Sequence, residues 1–359
     1  MKTTYTEITK LLENIDVSLY AKNRNFIDGS VTKLSPYISR GILSTKEVFF
    51  SLSKKNISPK KIEKFIQELA WRDYWQIVWK NKNINEDIKR KQEDVENIGT
   101  PKSIIQASTG INVIDNAIND LYNKGYVHNH IRMYIASIIC NIGKCHWKAP
   151  AKWFYFHLMD GDWGSNALSW QWVCGTNSSK KYIANQDNIN KFCYDNQKNT
   201  FLDKNYADLY KCLIPKELEK VSSLNLKTKL PLNNNVSIDQ KKPIMIYNYY
   251  NLDPNWRKEL NANRVLLLEP STFQDYPISE NVFNFFIKLS KNIKNIKIVV
   301  SEYKEFYKKF ENCIIYYKEH PLNNYYNGIC DKRDWLFTNQ NYYPSFFKFW
   351  NASKKELNI

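Results

Sequence analysis

Apolar positions in the first 215 or so residues of this chain recur at helical spacing. Over 62–80, Phe65, Leu69, Trp71, Trp75, Ile77, Val78 and Trp79 follow the helical period with no strand-type alternation. Residues 113–121, with Asp115 and Asp120 on an exposed side, and 128–142 carry the same signal. Thr109-Gly110 reads as a turn ahead of a helix, 151–158 as an aromatic helix, and Asp160-Gly161-Asp162 as a loop. The pattern predicts an all-helical first part.

The period then changes. Residues 243–250 (PIMIYNYY), 265–268 (VLLL), 296–300 (IKIVV) and 314–317 (IIYY) are short apolar runs suited to buried strands. Between the second and third, 281–292 places Val282, Phe285, Phe286 and Leu289 on one helical face, and 302–310 is a shorter helical run. Strand–helix alternation predicts a small α/β layer with a short parallel sheet. The polar stretch 224–242, with Pro231 and the asparagines at 233–235, reads as the connection. The expected organisation is a helical domain over 1–222, a linker over 223–240 and a small α/β domain over 241–359. Neither a G-x-G-x-x-G nor a Walker-type phosphate loop occurs in the α/β part.

Composition narrows the partners. The net charge is +16 and aromatic residues make up 15% of the chain, which favours an acidic partner, a stacking surface or a planar cofactor. Part of the charge reflects Lys and Asn enrichment throughout. No apolar run approaches the ~20 residues that span a bilayer, and the polar start lacks the apolar core of a signal peptide. Seven cysteines at irregular spacing point to reduced thiols and a cytoplasmic protein.

Three segments carry candidate chemistry. In GYVHNHIRMYIASIIC (125–140), Asn129, Arg132 and Met133 fall at i, i+3 and i+4, presenting an amide, a fixed cation and a thioether together. The plainer reading is a structural salt bridge at Arg132 and a helix cap at Asn129. In ELAWRD, Glu68, Trp71 and Arg72 share a face; an amphipathic helix with a buried Trp reads equally well. In DGDWGSNALSWQWVCG (160–175), the two carboxylates suit metal ligation, acid/base work or cofactor hydrogen bonding. Five histidines with no H-x-x-x-H pair, and no C-x-x-C, argue against a metal.

Together these segments resemble the helical FAD-binding domain of the photolyase/cryptochrome family over about residues 5–200. The matching residues are Tyr20 with Arg24-Asn25, Thr32-Lys33-Leu34-Ser35-Pro36-Tyr37, Glu68-Leu69-x-Trp71-Arg72-Asp73-Tyr74, Thr109-Gly110 with Asp115, His128-Asn129-x-x-Arg132-Met133, and Asp160-Gly161-Asp162 followed by Asn166 and Trp170-Gln171-Trp172.

The resemblance implies a U-shaped FAD in a helical cup. It assigns Tyr20, Thr32, Ser35 and Arg72 to the FAD phosphates, with Lys33 and Leu34 in the same binding segment. Arg132 and Asp160 would pair beside the isoalloxazine, and Asp162 would accept from its ring or ribose edge. Asn166 falls opposite flavin N5, where repair enzymes usually carry Asn. Asn129 and Met133 occupy the positions that are histidines in (6-4) photolyases, which matches cyclobutane-dimer repair. Asn129 also borders the cofactor. Glu68 would bond the pyrimidine edge, and Trp71 and Trp172 would stack on the flipped lesion. The implied function is light-driven, FAD-dependent repair of cyclobutane pyrimidine dimers in UV-damaged DNA by a monomer, nucleoid-associated when bound. The alternative is a cryptochrome-like blue-light photoreceptor without repair.

Three departures qualify what the resemblance implies. Photoreduction in the family commonly uses three tryptophans; Trp170 and Trp147 match two, and Ile104 holds the outer position, so other Tyr or Trp residues would have to substitute. Family members begin with an α/β domain that often binds an antenna pigment, whereas here an α/β segment follows the helical part. That segment reads either as a packing element, permuted or a replacement, or as a pigment site. After Trp172 the text is Ser/Asn-rich and basic, where relatives carry an Arg-Ile-Phe-Asn-Pro-like stretch. Cys174, Cys193 and Cys212 lack the spacing of an iron–sulfur site and read as free thiols.

Overall fold

A computed structural model describes residues 1–55, 57–232 and 236–358. The asparagines at 233–235, read above as part of the linker, lie outside the described residues. Helices dominate up to Lys216–Glu219, and parallel strands follow.

Compactness divides the chain differently from its secondary structure. One unit comprises Met1–Ser18, Thr32–Asn81 and Lys227–Ile359; the second comprises Leu19–Val31 and Lys82–Leu226. The expected boundary at 223–240 therefore separates helices from strands, while the first unit joins N-terminal helices to the α/β segment. The cause is specific pairing. Asn292 accepts from the Tyr5 amide at 2.7 Å and donates to the Thr3 carbonyl at 2.8 Å. Buried Asp73 accepts from the Leu336 amide at 2.7 Å and from the Thr45 hydroxyl.

In the first unit, the Tyr5–Glu13 and Thr45–Ser53 helices each start on a capping box, Thr4 with Glu7 and Ser44 with Glu47. The Glu63–Asn81 helix runs almost as the spacing predicts and buries Phe65, Leu69, Trp75, Ile77, Val78 and Trp79. In chain order the strands of the molecule are β1 (Thr100–Pro101), β2 (Val221–Ser222), β3 (Ile244–Tyr247), β4 (Asn263–Leu268), β5 (Lys297–Val300), β6 (Ile315–Lys318) and β7 (Ile329–Asp331). The last five form one parallel sheet of order β5-β4-β3-β6-β7. β3 and β4 are apolar because, as inner strands, they are covered on both faces. Ile244, Ile246, Val265 and Leu267 pack with Tyr303, Phe306 and Tyr326 on one side of the sheet. At ~1.5–3 kcal/mol for each fully buried large side chain, this cluster contributes substantially to the stability of the layer. β7 is mostly exposed, so it leaves no apolar trace for a sequence pattern to detect.

The second unit is built from the Asn112–Lys124, Asn129–Ser137, Lys148–His157 and Trp163–Cys174 helices with shorter elements around them. The single helix expected over 128–142 is an α-helix to Ser137 followed by a π-helical turn over Ile138–Ile142. The Asn141 amide donates from that turn to the Val173 and Tyr182 carbonyls at 3.0 and 2.7 Å. A two-residue antiparallel pair, β1 with β2, interrupts the all-helical expectation. Among the described residues, no helix is long and apolar enough to cross a membrane.

Candidate cofactor site

Gly125 and His128 set up the Asn129–Ser137 helix, which carries Asn129, Arg132 and Met133. Gly125 takes φ +62°, closing the Asn112–Lys124 helix in the left-handed region. A side chain there would fall 2.7 Å from Met159 Cγ, so glycine is required. His128 caps the next helix: its Nδ1 accepts from the His130 amide at 3.3 Å. The cap expected at Asn129 is thus one residue earlier, and Asn129 opens the helix with its side chain exposed. The His128 ring is buried; burial first, then the neighbouring His130 and Arg132, hold its pKa down to about 4, so it is neutral near pH 7.

Arg132 and Met133, one turn on, are half-buried. The Arg132 guanidinium donates to both Asp160 oxygens, at 3.1 and 2.9 Å, and through Nε to the Val127 carbonyl at 2.8 Å. Asp160 is 2% exposed at the side chain and Arg132 21%. The pair fastens the Asn129–Ser137 helix to the loop that leads into the Trp163–Cys174 helix. Asp162 caps that helix, accepting from the Ser165 amide at 2.7 Å, where a carboxylate also opposes the helix dipole. Asn166 is half-buried and donates from Nδ2 to the Ala151 carbonyl at 2.9 Å.

The Trp170-Gln171-Trp172 triplet is divided by its helical positions. Trp170 and Gln171 are buried, and Gln171 donates to the Ile84 and Glu86 carbonyls at 3.0 Å while accepting from the Ile88 amide at 3.1 Å. Trp172 is 38% exposed, with its ring 6.0 Å from Tyr182. Trp147 is fully buried and donates to Asp87 at 2.6 Å. Tyr20, also in this unit, begins the short Tyr20–Asn23 helix and lies 6.0 Å from the Arg24 guanidinium carbon.

The remaining sequence-predicted residues fall in the first unit. Thr32 accepts from the Leu34 amide at 3.4 Å, and Lys33 takes φ 54°, forming a tight turn into the Ser35–Ser39 helix. Leu34 is 1% exposed, so its side chain belongs to the core. Arg72 donates to the Ser39 hydroxyl at 3.1 Å. Glu68 pairs with Lys64 at 3.2 Å one turn back on an open helix face. Trp71, expected to stack on a lesion, has a ring face stacked on Phe346 at 3.8 Å and 11°.

Sequence reasoning placed His128 and Asp73 in matching motifs without giving either a role, and it overlooked Ser165 and Phe346. Phe346 was detectable: Ser345 followed by Phe346, Phe349, Trp350 and Ser353 is a capped helix with one buried face, which is the observed Phe346–Ser353 helix. The others act by geometry that spacing does not encode. Among the described residues, no group of three or more His, Cys, Asp or Glu side chains could hold a metal ion. The donor set suits an organic cofactor with polar edges: a carboxylate-fixed guanidinium, a half-open amide at Asn166, and a buried Ser165 hydroxyl oxygen with no partner among the described residues.

Residues 65–234 match the family described as "FAD binding domain of DNA photolyase". Among curated proteins, the deoxyribodipyrimidine photo-lyase of Alkalihalophilus pseudofirmus is 30% identical over 167 residues, 44% of this chain and 34% of that protein. The enzyme of the same name from Agrobacterium fabrum is 29% identical over 182 residues, 47% of this chain and 37% of that protein. The chain thus spans little more than a third of either relative. Among solved structures, a Synechocystis cryptochrome aligns with TM-score 0.45 and 20% identity, over 54% of this chain and 44% of that one. Across residues 65–234, the chain is therefore similar to the FAD-binding domain of DNA photolyases.

Proposed function

We propose that this protein binds FAD and uses blue light to split cyclobutane pyrimidine dimers in UV-damaged DNA. The observation that carries the reading is the Arg132–Asp160 clamp, which holds the helix bearing Asn129 and Met133 against the loop before Asn166. Bound FAD would supply light absorption and a transferable electron. The chain supplies position and charge. The fixed Arg132 cation favours a negatively charged reduced ring, and Asn166 offers an amide that adds no charge of its own. Asn129, exposed, and Met133, half-buried, remain available to a substrate, as does the exposed ring of Trp172. A net charge of +16 suits phosphate contacts, whose affinity falls steeply with salt. Asn and Met at 129 and 133, rather than histidines, support the cyclobutane lesion as substrate.

The test is repair by the purified chain, loaded with FAD and chemically reduced. It is mixed with thymine-dimer oligonucleotides, single- and double-stranded, and illuminated against a dark control. Light-dependent recovery of ultraviolet absorbance is the expected result. Bound flavin that photoreduces without recovery on either strand form overturns the repair reading and assigns the chain to light sensing. Failure to retain flavin overturns both.

A further inference from the structure

Ile104, at the outer tryptophan position of the family, is fully buried and cannot be oxidised in a relay. The aromatic packing of the second unit runs elsewhere. Trp170, one turn beyond Asn166 on the same helix, meets the Phe154 ring edge-on with centroids 5.9 Å apart. Phe154 lies 5.7 Å from Trp153, and Trp153 meets Tyr122 edge-on at 6.3 Å. Trp170, Phe154 and Trp153 are all at most 3% exposed, whereas Tyr122 is half-buried. The Tyr122 hydroxyl donates to the Ile105 carbonyl at 2.6 Å, beside the position that lacks its tryptophan.

From this ladder we propose that Tyr122 is the surface end of an oxidation relay that begins at Trp170 and passes through Trp153. The inference rests on the FAD reading above. Electron tunnelling weakens steeply with distance, so contacting rings set the path. Phenylalanine resists oxidation, which makes Phe154 a bridge between two tryptophans and not a stopping point. Tyrosine is the favourable end because its oxidation releases the phenolic proton, leaving a neutral radical. The Tyr122 side chain is half-buried, with the His157 ring 4.7 Å away, and the phenolic proton is passed on to solvent.

The electrons balance with an external thiol. One electron leaves Trp170 for photo-excited oxidised FAD, and the vacancy moves to Trp153 and then to Tyr122, which loses a proton. The thiol returns one electron and one proton to Tyr122 and becomes a thiyl radical. FAD gains one electron in total.

The experiment uses the full chain loaded with oxidised FAD, flashed with blue light with and without dithiothreitol, and read by time-resolved electron paramagnetic resonance and flavin absorbance. A tyrosyl radical is expected in the unchanged protein, with a slower rise in heavy water. Tyr122→Phe should abolish that radical and slow photoreduction at least tenfold while flavin content is unchanged. Trp153→Phe should do the same, and Tyr122→Trp should restore the rate with a tryptophan radical in place of the tyrosyl one. An unchanged radical and rate in flavin-loaded Tyr122→Phe overturns the relay while leaving the FAD reading intact. So does loss of photoreduction only in Trp147→Phe. A chain that retains no flavin overturns both.

Discussion

Arg132 holds Asp160 through two hydrogen bonds from Nη2 while its Nε is tied to the Val127 carbonyl. The guanidinium therefore has little freedom to move, and the carboxylate it faces is almost wholly out of water. Removing either residue takes the ion-pair partner from the other. Asp160→Ala and Arg132→Leu are each expected to cost roughly 3–5 kcal/mol. Urea denaturation checks this, as a lower midpoint at unchanged slope. Flavin retention should fall in both variants.

Asp73 collects the Thr45 hydroxyl and the Leu336 amide at one buried carboxylate. Asp73→Ala leaves that amide without an acceptor and is expected to destabilise the chain by about 2–4 kcal/mol. Asp73→Asn, which keeps a carbonyl oxygen, should lose less. Amide exchange at Leu336 reports the contact directly, and faster exchange in the Ala variant is the expected result. Burial raises the Asp73 pKa, with nearby Arg333 opposing. Native protein then binds more protons than unfolded, so this group's contribution declines as pH rises from the ordinary carboxyl value through the raised one.

His128 acts in the opposite sense. Its native pKa of about 4 lies below the ordinary 6.5, so between those values the unfolded chain binds more protons. Its contribution is full above pH 6.5 and lost as pH falls through about 4, amounting to about 3 kcal/mol at most. His128→Asn keeps a side-chain acceptor for the His130 amide. That variant should flatten the acid limb of a stability–pH curve, measured from urea midpoints across the window.

Phe346 stacks on Trp71 at 3.8 Å and lies 5.8 Å from Tyr74. Phe346→Ala opens a cavity in this cluster, and a loss of about 3–5 kcal/mol is expected. Tryptophan emission should shift to the red as water reaches the Trp71 ring. An unshifted spectrum with full stability would show that the stack contributes nothing.

Asn166→Asp replaces an amide that donates to the Ala151 carbonyl with a carboxylate that cannot. The expected outcome is retained FAD with a different flavin redox state reached under light, read by absorbance. Loss of FAD would instead make Asn166 a packing residue.

Local periodicity carries the elements that were legible before folding. The apolar faces of 62–80 and 281–292 suffice for the Glu63–Asn81 and Glu280–Ser290 helices, and continuous apolar runs suffice for β3 and β4, which are buried on both faces, and also mark β5 and β6, which are less completely covered. Motif spacing likewise brought out Arg132, Asp160 and Asn166. Tertiary structure decided what depends on partners far along the chain. Trp71 is free on its helix until Phe346, 275 positions later, stacks on it. Leu34 became core, His128 took the cap, and Asn292 drew the first helix into the α/β unit. Above all, the ladder from Trp170 to Tyr122 exists only because three helices place their rings in contact, and neither helical nor strand periodicity records which ring faces which.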